Sequence, residues 1–459
     1  MPFISQDQVN EVSNKLTNDF SRLGKLYKAK KGKYQTRTVD HSLVDGLLTK
    51  GWGIDKELKT KTKLIKEKTH SKEFEDDIWC QFYELGYRNL NFDETFILPF
   101  GKDFKDKKQI DIVAIDNETV FLIECKSSKR SKKAPSYKDE FDLLRLRLDG
   151  FKKSMQQVLN RKIRIKYVFA TRNLRLDEDS YDLERLRESR SFYYNDSTYL
   201  YVGNLIKHYK NAALYQFLGL VFKNEKINDE RIEIPAIEGD MGGKKYYMFS
   251  IEPDLLLKIG FVLHRAKANE SEFPTYQRLL QPARLKGITK FINDGGYFPN
   301  SIIVNFSGKN KNKLHFEFFK TTKNSSSKLG VLKITNAYAI AYIIDGQHRL
   351  YGYANSQYKD SNTIPVVAFD GLDSIEQLQL FMDINENQKA VSANLRLDLE
   401  EDLYWDSPVA ASRLKALRSS IIKQIAYSQN GPLYNKISVG EERSILSFKP
   451  FSTALLKSG

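Results

Sequence analysis

The stretch IDIVAIDNETVFLIECKSSK, residues 110–129, constrains the fold of this chain more than any other. Two apolar runs flank a polar turn, DNET, and read as a β-hairpin. With the turn centred between Asn117 and Glu118, cross-strand partners carry numbers that sum to 235. Ile115 then faces Val120, Val113 faces Leu122, Asp111 faces Glu124 and Gln109 faces Lys126. Side chains alternate along a strand, so Asp111, Glu124 and Lys126 share one face. Cys125 points to the other, as a small core residue. Two carboxylates set opposite each other repel, and the register predicts a positive charge between them. Lys126 is one candidate. A divalent cation is a better one, because Mg²⁺ is commonly held by one or two carboxylates plus waters and substrate phosphates.

That pattern suits phosphodiester hydrolysis. A metal held against the scissile phosphate neutralises its charge and makes a water nucleophilic. A lysine on the same face stabilises the charge that develops. Lys129, Arg130, Lys132 and Lys133 follow in a basic loop, KSSKRSKK, and are candidate contacts to flanking DNA phosphates. The bland alternative is a strand-end salt bridge between Lys126 and one acid.

Upstream, SKEFEDDIWCQFYELGY carries Phe74, Ile78, Phe82 and Leu85 at helical spacing, ending before Gly86. Downstream, FDLLRLRLDGFKKSMQQVL reads as a helix and KIRIKYVFAT as a strand. The order helix, strand, hairpin with D…ExK, helix, strand resembles the PD-(D/E)xK nuclease superfamily, with its restriction-endonuclease-like fold. The resemblance covers about residues 71–225, and Ile110 stands where the proline of the name would be. It implies Asp111 and Glu124 as ligands of Mg²⁺ or Mn²⁺ and Lys126 as the residue acting on the attacking water. It also implies Glu75 as the acid that completes the catalytic set. Gln156 or Gln157 matches a polar position of some subfamilies.

A second constellation lies in AYAIAYIIDGQHRLYGYANS, a buried strand, a polar loop and a helix. Asp345, Gly346, Gln347, His348 and Arg349 fall at the strand-to-helix junction, where amides, a glycine and an arginine make an anion site. The bland reading is an Asp cap with Arg349 paired to a nearby carboxylate. DGQHR resembles the DGQHR-domain family, related to ParB and sulfiredoxin and including the DndB proteins of DNA phosphorothioation. YQRLLQPARLKGITKFI, with Gln277, Arg278 and Arg284, and FMDINENQKAVSANL, with Asn385 and Gln388, extend the likeness to residues 236–400. It implies a nucleotide- or phosphate-binding site built from these ten residues, with a nucleoside triphosphate as a second cofactor. The residues leave open whether that nucleotide regulates a nuclease or is itself hydrolysed. There is no Walker A lysine motif.

The whole chain has 459 residues, room for several domains. Its 41% hydrophobic content excludes a disordered polymer. A net charge of +15 favours a polyanionic partner. Two cysteines, Cys80 and Cys125, exclude a disulfide framework, and six scattered histidines show no zinc-ligand spacing. The start MPFISQDQVN lacks signal-peptide features, and AYAIAYII is too short to span a bilayer. A cytoplasmic protein without membrane contact is expected. The end FSTALLKSG has no tidy terminus, so a longer parent is expected.

The reading is a mixed α/β (α+β) chain in four parts. Residues 1–70 form a basic extension and residues 71–230 a nuclease domain. Residues 236–373 form a ParB-like DGQHR domain and residues 374–459 a helical region, with the polar stretch 223–243 as the joint and TTKNSSSK as a loop. The function expected is a DNA endonuclease in prokaryotic defence or restriction of foreign or modified DNA. The rivals are a DndB-like transcriptional regulator with an inactive nuclease fold and an RNA-directed nuclease. Oligomeric state is not legible.

Overall fold

The computed structural model describes residues 2–92, 95–103, 105–177, 180–263, 280–306, 313–386, 393–428, 431–434, 436–439 and 444–457. The architecture is mixed α/β, in two compact units, Met1–Ile206 and Lys207–Gly459.

The first unit is built on the hairpin. Ile112 pairs with Ile123, Val113 with Leu122, Ala114 with Phe121 and Ile115 with Val120, so every pair sums to 235 as expected. The hairpin forms the middle of a six-stranded sheet, in the order Leu16–Thr17, Asn89–Asn91, Ile112–Ile115, Thr119–Lys133, Arg164–Arg175 and Phe192–Tyr194. The last three strands run parallel. Parallel neighbours need a crossover, supplied between the first two by the helix Lys138–Leu159. Its Phe141, Leu144, Phe151 and Met155 pack with Val113, Ile115, Val120 and Leu122. The opposite face carries the helix His70–Leu85, whose Phe82 ring lies 5.3 Å from that of Phe121. Phe74, Ile78, Phe82 and Leu85 are all buried. The helix stops at Gly86, whose φ of +116° favours a residue without Cβ.

Residues 1–70 are not an appended extension. The Gln157 side chain accepts from the Phe3 and Ile4 amides (2.8 and 2.9 Å) and donates to the Ile4 carbonyl (2.8 Å), so Gln157 is an anchor for the chain start. Leu16–Thr17 adds a strand to the main sheet. Tyr34–Asp40, Gly53–Glu57 and Lys61–Glu67 form a small sheet over Val39, Val44 and Leu64. Lys61 and Lys63 alternate with the buried Thr62 and Leu64 and mask this strand pattern. KSSKRSKK is likewise not a plain loop. Ser127 faces Arg172 and Lys132 faces Leu174, five steps against two, so it is a bulge inside a long strand.

In the second unit an eight-stranded sheet runs in the order Gly260–Phe261, Ala341–Asp345, Ile302–Phe306, Ile364–Asp370, Lys244–Ile251, Lys226–Met241, Ser325–Ala337 and Leu314–Thr322. Three expectations change here. The supposed joint contains the 16-residue strand Lys226–Met241, with Ile232, Ile234, Ala236 and Glu238 buried. The two units instead divide within the helix Asp196–Tyr209. TTKNSSSK is a hairpin turn, with Thr322 opposite Ser325, between two strands rather than a separating loop. AYAIAYII is not one strand. It closes Ser325–Ala337, turns through Ala339 at φ +53° and opens Ala341–Asp345. After residue 374 the chain is mainly helical, as expected. Among the described residues no helix is long and apolar enough to cross a membrane.

Candidate functional site

Asp111 sits at a bend one residue before the ladder begins. The buried Asn91 causes this. Its amide donates to the Asp111 carbonyl (3.0 Å) while its oxygen accepts from the Val113 amide (2.9 Å). Asn91 thus takes up the polar groups on either side of Ile112 and fixes where the strand starts. Asp111 turns its carboxylate across the strand end and accepts from the Cys125 amide at 2.8 Å.

Gln109 does not face Lys126. It lies in a separate short strand, Lys107–Gln109, paired with Ile97–Pro99, because the chain bends at Asp111. Its neighbour Lys108 reaches the site instead, a residue the sequence pattern missed. Lys108 Nζ lies 3.3 Å from Glu124 Oε2 and 2.8 Å from Glu140 Oε1. Lys126 Nζ lies 2.6 Å from Glu124 Oε1. Glu124 is only 7% exposed, and among the described residues its Oε2 has no partner of hydrogen-bond geometry. Glu75, on the helix His70–Leu85, is 3.6 Å from Lys72 and close enough to act on Asp111. His70, also unforeseen, meets Ser127 Oγ at 3.1 Å on the adjoining strand.

The electrostatics follow from this crowding. Burial, then the Glu124 carboxylate, push Asp111 up to about 6 against the hydrogen bond from Cys125, with Glu75 adding to the push. For Lys126, burial acts downward but Glu124, Glu140 and Asp111 outweigh it, so the ammonium is held above its usual range. Lys126 is therefore a fixed cation at neutral pH. Among the described residues no three His, Cys, Asp or Glu side chains gather as a metal cage. Asp111 and Glu124 make a two-carboxylate oxygen set. That set fits Mg²⁺ or Mn²⁺, which keep waters and substrate phosphates as further ligands, better than zinc.

The basic side chains sit beside this centre in the strand. Lys129 and Arg130 lie on the bulge and Lys132 and Lys133 in the resumed ladder, all exposed. Asn173, at φ +57°, donates to the Ser128 carbonyl at 2.9 Å and holds the bulge. Lys133 is engaged with Asp177 at 2.6 Å.

The DGQHR loop does fall at a strand-to-helix junction, after Ala341–Asp345 and before the six-residue helix Gln347–Gly352. Gly346 has φ +91°, and a Cβ there would lie 2.5 Å from Ile302 Cδ1. Asp345 does not cap the helix; its Oδ2 pairs with Arg349 NH2 at 2.8 Å. Arg349 NH1 also donates to the Asn300 carbonyl at 2.5 Å. Gln347 is buried and accepts from the Tyr209 hydroxyl at 3.2 Å. Burial, then Arg284, push His348 down to about 4, and its Nε2 has no hydrogen-bond partner among the described residues. The exposed Arg284 thus joins His348 and Arg349. Gln277, Arg278 and Gln388 lie outside the described residues, as does the side chain of Asn385.

Comparison with known proteins bears on the second unit. Residues 234–425 match the family profile DndB, described as DNA-sulfur modification-associated. No curated protein matches the chain. Among solved structures, the crystal structure of protein VC1899 from Vibrio cholerae aligns at 10% identity with a TM-score of 0.22. That alignment covers 45% of this chain and 57% of the other. The matched stretch holds the DGQHR loop and the strand and helix on either side of it.

Proposed function

We propose that this chain is a metal-dependent DNA endonuclease whose DndB-like region directs it to DNA according to its modification. The observation that carries the reading is the pair of crowded carboxylates. Asp111 is pushed up to about 6, with Glu124 a cause second only to burial, and Lys126 is fixed beside them. Such a pair favours a cation over two protons at neutral pH.

Asp111 and Glu124 are the groups that would hold the ion, which supplies Lewis acidity toward the scissile phosphate and a more acidic bound water. Lys126, kept protonated by its carboxylate neighbours, stabilises charge that develops on the phosphate. Lys108 shares Glu124 with Lys126 and keeps its carboxylate oriented. Glu75 biases the protonation of Asp111. Lys129 and Arg130 on the bulge would grip flanking phosphates. A nucleotide at the DGQHR loop would act as a regulator, and to reach Arg349 it must displace Asp345.

The second reading is a DNA-binding regulator with a silent site. It is favoured by Lys108 and Lys126 both closing on Glu124, which leaves that carboxylate neutralised without any metal. Supercoiled plasmid and single-stranded RNA incubated with Mg²⁺, Mn²⁺ or EDTA decide between them. The endonuclease reading expects metal-dependent nicking of plasmid by the wild type and none by folded Glu124→Ala or Lys126→Ala. Full cleavage by either variant, or none by the wild type, would overturn it.

A further inference from the structure

Strand pairing in the second unit leaves a gap. Lys226 faces Ala337 and Arg231 faces Thr335, so five steps on one strand answer two on its partner. Residues 227–230 leave the ladder, and a pocket of about 330 Å³ opens there. Bulges of this kind re-aim side chains and recur beside functional sites. The walls include Asn224, Asn228, Asn336, Lys226 and Arg231, and Lys313 is the buried charged member.

Lys313 is 8% exposed. Its carbonyl accepts from the Thr335 amide at 2.8 Å, which fixes its backbone to the pocket wall. No carboxylate among the described residues pairs with its ammonium. Burial, then the like charge of Lys223, hold its pKa below the usual lysine range. The acids that line the pocket do not answer it. Asp229 has a side chain 97% exposed and lies 3.3 Å from Lys226, and Glu230 is exposed at the rim. A largely buried lysine with no carboxylate partner among the described residues is disfavoured, and an anion in the pocket would relieve that.

We propose that this pocket binds a phosphorylated small molecule of up to nucleotide size, with Lys313 as the charge anchor. The volume stands at the small end of ligand pockets, which run from roughly 300 to 1,000 Å³. A lysine serves a phosphate as a point charge. Asparagine amides both donate and accept, which suits sugar hydroxyls and base edges. The excess of basic groups argues against a divalent cation, and the polar walls against an apolar ligand. The site is separate from the DGQHR loop, where Arg349 is already held by Asp345, and it does not depend on the nuclease reading.

The test uses the full chain in titration calorimetry and thermal unfolding. The probes are inorganic phosphate, deoxyadenosine monophosphate and a short DNA duplex. The variants are Lys313→Met, Lys313→Arg and Lys323→Met, the last removing a charge at an exposed hairpin turn. Inorganic phosphate and the mononucleotide should bind and raise the Tm of the wild type. Lys313→Met should weaken that binding about tenfold or more. Lys313→Arg should retain it, and Lys323→Met should leave it unchanged. Free of ligand, Lys313→Met should melt no lower than the wild type, because it removes an uncompensated buried charge. No binding of either small probe to the wild type, or equal binding by Lys313→Met, overturns the proposal. So does a Lys313 effect confined to duplex DNA, which would make the pocket a backbone-phosphate contact.

Discussion

Replacing Asp111 by Asn should stabilise the metal-free protein at neutral pH and weaken it toward metal. Asp111 is raised from 3.8 to about 6 in the folded chain. Between those values the folded chain holds a proton that the unfolded chain has released, so stability is lost as pH rises through that window. Two units at about 1.36 kcal/mol each give about 2–3 kcal/mol at pH 7, the upper end discounted because Asp111 is partly exposed. Asparagine carries no charge but can still accept the Cys125 amide bond. In a unit of 206 residues, at about 2–4 °C per kcal/mol, Asp111→Asn should melt roughly 5–10 °C above the wild type at pH 7–8 in EDTA. Near pH 4 the two should converge, because the wild-type carboxyl is then protonated. Added Mg²⁺ should raise the wild type and leave the variant where it was. Scanning calorimetry across pH 4–8, with and without metal, makes the comparison. A variant that melts below the wild type at pH 7, or a difference that ignores pH, refutes the crowded-carboxylate argument.

The remaining expectations use the same structure. His348, pushed down to about 4, stays neutral in the folded chain while the unfolded chain takes up a proton below about 6.5. The second unit should therefore lose about 3 kcal/mol as pH falls from 6.5 toward 4, and His348→Gln should abolish that loss; an unchanged acid profile counts against it. In a Lys313→Met background, Arg349→Ala should abolish the remaining nucleoside triphosphate binding, at a stability cost of at most about 1 kcal/mol from the broken Asp345 pair. Triphosphate binding retained by that double variant in calorimetry would remove Arg349 from the site. DNA affinity should fall on the order of 10³-fold between 50 and 200 mM salt if roughly 6 phosphates are contacted. A flat salt profile would remove the basic bulge from the interface.

Much of the local plan was legible. The hairpin register follows from a turn of fixed length and a period of two, and all four ladder pairs obey it. The helix that ends at Gly86 follows from a stripe and a left-handed cap. The DGQHR loop was placed at its junction by a continuous apolar run that ends in an Asp-Gly step. Where charge overlay hid alternation, the reading failed. RIEIPAIE is a buried-and-exposed strand, but its acids and its proline made it look like a joint.

What the tertiary structure decided lies between residues distant in sequence. Asn91 sets the bend that presents Asp111, twenty positions away. Lys108 and Glu140 enter the Glu124 centre from a separate strand and a crossover helix. Arg349 was open to an anion or to a nearby carboxylate, and it is shared by Asp345 and the Asn300 carbonyl. Within an element that forms, the sequence determined which face a side chain occupies, because alternation and helical pitch are properties of the backbone alone. It did not determine which charges meet, because a buried charge takes its partner from whichever element packs nearest. That choice is settled only when desolvation has to be balanced in three dimensions.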